Sequence, residues 1–172
     1  MSSPRKQHFI EELKRHYQEI IAGARGAELG TAEAADTLQK ESRSREDAKQ
    51  AAEFGRASVN HARRRERAKR EVDSLLAFAQ SGLKDFPRSA RVQLGALVDV
   101  SIEDETGSEE RTLFILPVGA GTELSGPGGD GFISVVTPNS PVGKGLMGAS
   151  AGDCFEISTG ETDREWTVVD VG

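Results

Sequence analysis

Glu46 and Asp47 stand side by side, with Gln50 three residues after Asp47 and Glu53 three after that. Groups at i and i+3 share one face of a helix. Two carboxylates so placed can hold a hard cation through oxygen ligands and orient an attacking water. Gln50 offers only a neutral carbonyl and an amide, so it can neither act as a base nor lend charge to a magnesium site. The plainer reading of Glu46 and Asp47 is a helix-opening acidic pair. Acids in a first turn stabilise the helix dipole by about 0.3–1 kcal/mol each.

Three other groups could carry chemistry. The run Arg63-Arg-Arg-Glu-Arg-Ala-Lys-Arg70 is strongly basic. It reads either as the solvated face of a coiled coil, with Glu66, Glu71 and Asp73 as partners, or as a contact for an anion. It has no interleaved aromatics on which bases could stack, which argues against sequence-specific RNA binding. His8, His16 and His61 are scattered without ligand spacing. Cys154 is the single cysteine, so a disulfide framework and a cysteine zinc site are excluded. Next to Phe155 in a strand-like run, it reads as a buried apolar filler.

The elements that position these groups divide the chain in two. Of its 172 residues, 1–84 carry 17 Lys and Arg against 13 Asp and Glu, whereas 85–172 carry 5 against 15. Net charge is thus +4 in the first part and -10 in the second. Fourteen of the 19 glycines and five of the six prolines lie after residue 84. Mean hydropathy is -0.47. No run approaches the roughly 18 apolar residues of a membrane span. The opening MSSPRKQHF has no apolar signal core, so the expectation is a cytoplasmic protein that makes no membrane contact.

Residues 1–84 read as a helical hairpin. No proline interrupts Lys6 to Leu83. Leu13, Tyr17, Ile20, Ala24, Ala27, Thr31, Ala34 and Leu38 recur at alternating spacings of four and three, a heptad seam. The segment Gln39–Asp47 has no large apolar residue. A second seam then runs through Ala48, Ala52, Gly55, Val59 and Ala62, and on through Val72, Leu75 and Ala79. Two seams around a polar centre predict an antiparallel hairpin with its tip near 41–48. A single long parallel coiled-coil dimer is the alternative, and the polar gap disfavours it.

Residues 85–90 read as a linker and 91–172 as a small antiparallel β domain, giving an α+β chain. Strands are expected at Leu94–Ile102, Arg111–Val118, Phe132–Val136, Cys154–Ile157 and Glu165–Val171. Hairpin turns are expected at Asp104–Gly107 and Ser158–Gly160. Gly121–Gly131 reads as a plain loop, because it lacks the lysine and helix of a phosphate loop. One helical turn is expected at Lys144–Met147. The acidity of this part argues against nucleic acid as its ligand.

The segment from Phe132 to Asp153 resembles the signature of the bacterial Gre transcript cleavage and elongation factors, GreA and GreB. The likeness lies in Ser140-Pro141, Gly143-Lys144-Gly145-Leu146-Met147-Gly148 and Gly152-Asp153. Leu94–Val100 is similar to the first strand of that family's domain, and Thr137-Pro138-Asn139 looks like a short insertion. The order of hairpin and β domain matches across nearly the whole chain. The resemblance implies an N-terminal antiparallel coiled coil and a C-terminal FKBP-like domain. It implies a monomer that binds bacterial RNA polymerase at the rim of the secondary channel through Asn139, Ser140, Pro141, Val142, Gly143 and Lys144. The coiled-coil tip would then approach the polymerase's catalytic magnesium, with no cofactor of the chain's own. The basic hairpin would be the part able to touch the nascent RNA 3′ end.

The family's tip pattern, Asp-Leu-x-Glu-Asn-Ala-Glu-Tyr, is similar to Asp47-Ala-Lys-Gln-Ala-Ala-Glu53-Phe54. The resemblance makes Asp47 the metal-facing acid, with Gln50 in place of the second acid of the catalytic pair. Glu46, or Glu41 further up, could compensate. Two functions stay open: stimulating transcript cleavage to rescue backtracked polymerase, or occupying the channel without cleavage and so inhibiting transcription. In both, hydrolysis belongs to the polymerase and the chain is not itself an enzyme. A prolyl isomerase is the third class. Its aromatic pocket would have to come from Phe86, Phe114, Phe132, Phe155 and Trp166, which sit on separate elements, and fold likeness alone is weak warrant for it.

Overall fold

A computed structural model describes residues 3–129, 131–159 and 162–172. Two 38-residue helices, α1 (Pro4–Glu41) and α2 (Arg45–Gly82), are followed by six strands and a short helix. The strands are β1 (Leu97–Asp104), β2 (Gly107–Ile115), β3 (Glu123–Ser125), β4 (Phe132–Val136), β5 (Cys154–Thr159) and β6 (Thr162–Val171). The short helix, α3 (Pro141–Leu146), lies between β4 and β5. The chain is α+β, as its sequence predicts.

Proline opens α1, where its missing N–H costs nothing. The α1 seam is as expected: Leu13, Tyr17 and Ala24 are buried, and Ile20, Ala27, Thr31, Ala34 and Leu38 are half-buried. The α2 seam is as expected at Leu75, which is buried, and at Gly55, Ala62, Val72 and Ala79, which are half-buried, but it differs elsewhere. Ala48, Ala52 and Val59 are exposed, whereas Ala51, Ser58, Arg65 and Ala68 turn inward. The reason is polar. Ser58 Oγ donates to the Glu28 carbonyl at 3.1 Å, and Arg65 Nη1 pairs with the Glu28 carboxylate at 2.5 Å. Two polar residues therefore occupy seam positions and hide the phase from an apolar count. Glu28 meeting Ser58 and Tyr17 meeting Glu71 make the pairing internal and antiparallel, in place of the alternative of a long parallel coiled-coil dimer.

The chain forms two compact units, residues 14–73 and residues 1–13 with 74–172. Each long helix therefore contributes residues to both units. In the second unit the sheet order is β3-β4-β2-β1-β6-β5. All neighbours are antiparallel except β2 and β4, which pair in parallel from Thr112–Ile133 to Ile115–Val136. The Gly-rich segment explains this correction to an all-antiparallel sheet. It contains β3, which forms the outer edge, and the chain returns as β4 between β3 and β2. β1 starts three residues later than expected because Gly95 turns the chain with φ 88. Pro117 follows the end of β2 at Ile115.

One face of the sheet carries Val98, Val100, Ile102, Leu113, Ile115, Val168 and Trp166 in a core with Leu146 of α3. Within the same unit, Phe9 of α1 is fully buried and meets Phe114 edge-on, with ring centroids 6.1 Å apart. Lys6 is 1% exposed. Its Nζ donates to the Lys84 carbonyl at 2.6 Å and to the Gly172 carbonyl at 3.0 Å, and lies 4.8 Å over the Phe86 ring. Burial lowers its pKa, and the Asp85 charge opposes that shift. Lys6 thus ties the chain around Lys84 and Phe86 to the start of α1.

The turn between β1 and β2 is as expected, with Asp104 opposite Gly107 and Asp104 Oδ1 accepting the Thr106 N–H at 2.8 Å. The expected turn at Ser158–Gly160 reaches Gly160, which lies outside the described residues. Cys154 is exposed and not buried: it starts β5, and its Sγ lies 3.3 Å from Thr167 Oγ1.

Candidate functional site

Helix α1 ends at Glu41, Ser42–Ser44 form the connection, and α2 starts at Arg45. Glu41, Glu46 and Gln50 are exposed and Asp47 is half-exposed. The fold brings Glu46, Asp47 and Gln50 together on the first turns of α2, next to the connection. Ser44 is the residue that sequence reading passed over. Its Oγ accepts the Asp47 N–H at 3.1 Å. In return Asp47 Oδ2 accepts the Ser44 N–H at 3.1 Å and the Arg43 N–H at 3.2 Å. Ser-x-x-Asp here is a reciprocal capping box, a signal legible in Ser44-Arg45-Glu46-Asp47.

The box fixes the electrostatics of Asp47. Hydrogen bonding to Ser44, then to the Arg43 N–H, holds its carboxyl below the ordinary 3.8, and slight desolvation opposes this. Asp47 is therefore ionised at neutral pH, with one oxygen engaged by the backbone. Among the described residues no group of three or more His, Cys, Asp or Glu is placed to hold a metal ion.

The basic run is partly consumed by pairing within the hairpin. Arg65 meets Glu28 and Glu66, Arg67 meets Glu71 at 2.9 Å, and Lys69 meets Glu66 at 3.1 Å. Arg63, Arg64 and Arg70 are exposed, and among the described residues no ion pair engages them. His16 and His61 are not scattered in space. Both line a groove between α1 and α2, with Glu19 and Arg64.

The Ser-Pro segment forms the start of α3. Ser140 caps it: Oγ accepts the Gly143 N–H at 3.0 Å and donates to the Thr137 carbonyl at 2.7 Å. The two glycines of the turn are required by packing. A Cβ on Gly143 would stand 1.9 Å from the Thr137 oxygen, and one on Gly145 would stand 2.3 Å from the Phe155 ring. The six residues expected to dock thus separate by environment. Asn139, Pro141 and Lys144 are exposed, Ser140 and Val142 are half-buried, and Gly143 is buried. Of the aromatic residues considered for an isomerase pocket, Phe86, Phe155 and Trp166 belong to one packed core cluster, and Phe114 and Phe132 lie outside it. Phe114 is buried against Phe9, Phe155 stacks on Trp166, and Phe132 is 74% exposed.

The family described as transcription elongation factor, GreA/GreB, C-term, matches residues 87–172. Among solved structures, the GreA factor homolog 1 protein of Thermus thermophilus is similar at 19% identity, over 92% of this chain and 94% of that one, with a TM-score of 0.36. The Thermus aquaticus Gfh1 structure is similar at 17% identity, over 91% and 92%, with a TM-score of 0.35. The prokaryotic elongation factor GreA/GreB from Nitrosomonas europaea is similar at 21% identity, over 60% and 77%, with a TM-score of 0.33. No curated protein matches the chain.

Proposed function

The chain belongs to the GreA/GreB family of transcription elongation factors, which act with RNA polymerase. From that premise we propose that it binds bacterial RNA polymerase at the secondary channel and modulates transcript cleavage and the rescue of backtracked complexes. The β unit docks on the channel rim through the exposed residues Asn139, Pro141 and Lys144. The turn at Ser42–Ser44 leads into the channel and carries Asp47 toward the polymerase's magnesium. The hydrolysis is the polymerase's own, and the factor contributes charge and position. Arg63, Arg64 and Arg70 are the cations left to meet the RNA 3′ end. One observation supports the reading most directly. Glu46, Asp47 and Gln50 fall on the first turns of α2, immediately after the break between the paired helices.

A second reading has its own support. Gln50 supplies no charge, and Asp47 Oδ2 is already engaged by two backbone N–H groups. A tip so equipped occupies the channel without efficient cleavage and inhibits synthesis. The test is a polymerase stalled in a backtracked complex. Shortening of the RNA on addition of the protein, abolished by Asp47→Asn, identifies the cleavage factor. Slowed synthesis or competition with a cleavage factor, without shortening, identifies the inhibitor. No association with the polymerase at all overturns both.

A further inference from the structure

The sheet has two edges of unlike character. β3 is three residues long, and shortness is one way proteins blunt an edge. β5 is six residues long and pairs only with β6. Its register runs without a shift from Cys154–Thr167 to Thr159–Thr162. Cys154–Ser158 contains neither proline nor lysine. Proline, lysine and a register shift, three of the usual devices that protect an open edge, are therefore missing from this segment, and the charge of Glu156 is the guard it carries.

The direction of the free backbone groups follows from the ladder. Val168 donates to the Asp153 carbonyl at 2.9 Å, so residue 153 faces β6. In an antiparallel pair the bonded positions alternate. Phe155 and Ile157 then bond to β6, while the N–H and C=O groups of Cys154, Glu156 and Ser158 point out of the sheet edge. The same three residues have exposed side chains.

Charge indicates what would pair there. Glu156 stands directly opposite Glu165, and Glu165 directly opposite Glu103. The three exposed glutamates form one row across β5, β6 and β1. Neighbouring strands lie roughly 4.8 Å apart, so these like charges destabilise the sheet. Among the described residues no ion pair engages any of the three. Asp163, also exposed, adds a fourth charge two residues along β6 from Glu165.

We propose that the open edge of β5 binds an extended, basic segment of a partner protein as an added strand. Its backbone would bond to Cys154, Glu156 and Ser158, and its Lys or Arg side chains would pair with Glu156 and reach toward Glu165, relieving the repulsion at the near end of the row. Main-chain pairing gives affinity in such additions, and alternate side chains give selectivity. A second copy of this chain is a poor occupant, because it would bring to the same edge another row of glutamates within residues 85–172, whose net charge is -10.

The full-length protein can be titrated with the acetylated, amidated peptide Lys-Val-Lys-Val-Lys-Val, with Glu-Val-Glu-Val-Glu-Val as control. The expected result is binding of the basic peptide alone, weakened by added salt. The amides of Cys154, Glu156 and Ser158 gain protection from hydrogen exchange while Phe155 and Ile157 stay as they are, and alkylation of Cys154 slows. Ser158→Pro removes one outward N–H without changing charge, and should weaken binding at least tenfold. Glu156→Gln keeps that N–H and should weaken it several-fold, so a fold defect in the proline variant leaves a second reading. Equal binding of both peptides, binding without protection of the three outward amides, unchanged affinity in a folded Ser158→Pro, or dimers of the free protein that protect the same amides would each overturn the proposal.

Discussion

Ser44 and Asp47 satisfy each other's backbone N–H groups across the first turn of α2, each bond 3.1 Å long. The aspartate that the family resemblance places nearest the polymerase's magnesium is thus also the residue that closes the helix start. In the proposed reading, capping and metal contact would draw on the same carboxylate.

The box has a pH signature. The Asp47 carboxyl lies below 3.8 in the fold, so its contribution is fully present above that value and is lost as pH falls through the lowered one. Hydrogen exchange should show the amides of Arg43 and Ser44, which bond to the Asp47 carboxylate, losing protection below about pH 4. Ser44→Ala should expose the Asp47 amide at neutral pH while residues 60–75 remain protected. Unchanged protection in Ser44→Ala would remove the box from the account.

Gln50→Glu restores an acid three residues from Asp47, on the same helix face. Cleavage of RNA in a backtracked complex should appear or rise with this single change. No gain, with polymerase binding intact, would show that the tip does not present positions 47 and 50 together to the metal.

The docking segment should separate folding from binding. Gly145→Ala places a Cβ 2.3 Å from the Phe155 ring and should lower stability by about 1–3 kcal/mol in chemical denaturation. Lys144→Glu, on an exposed side chain, should change stability by less than roughly 0.5 kcal/mol yet weaken polymerase binding. Wild-type affinity in Lys144→Glu would move the docking surface elsewhere.

Tyr17 is 4% exposed, and burial, followed by a hydrogen bond to Glu71, raises its pKa above 10.0. A phenol that holds its proton longer in the fold than in the unfolded chain gives stability that is complete below pH 10 and is lost above it. Alkaline melting of the helical hairpin should therefore be less steep in Tyr17→Phe than in wild type.

Lys6 gives the opposite slope. Its pKa lies below 10.5 in the fold, so the unfolded chain binds more protons in the window just under that value. Its contribution rises with pH there. Lys6→Met should flatten the rise and cost about 1–3 kcal/mol, because the Lys84 carbonyl loses its donor and the Gly172 carbonyl loses one of its two.

The sequence by itself determined the two long helices, the polar break between them, the α1 seam and the glycine-rich turn after Ser140. Each follows from local periodicity or from residues with fixed backbone preferences. It also determined the charge of the tip, since Asp47, Glu46 and Gln50 are near neighbours in the chain. Only the tertiary structure decided the phase of α2, where Ser58 and Arg65 hold inward positions because Glu28 of the other helix satisfies them. The same is true of the parallel β2–β4 pair, the burial of Lys6 and the row of glutamates across β1, β6 and β5. All of these depend on partners tens of residues away. Hydrogen-bond satisfaction and strand register are set by what lies opposite in space, and a hydrophobic period along the chain carries no record of it.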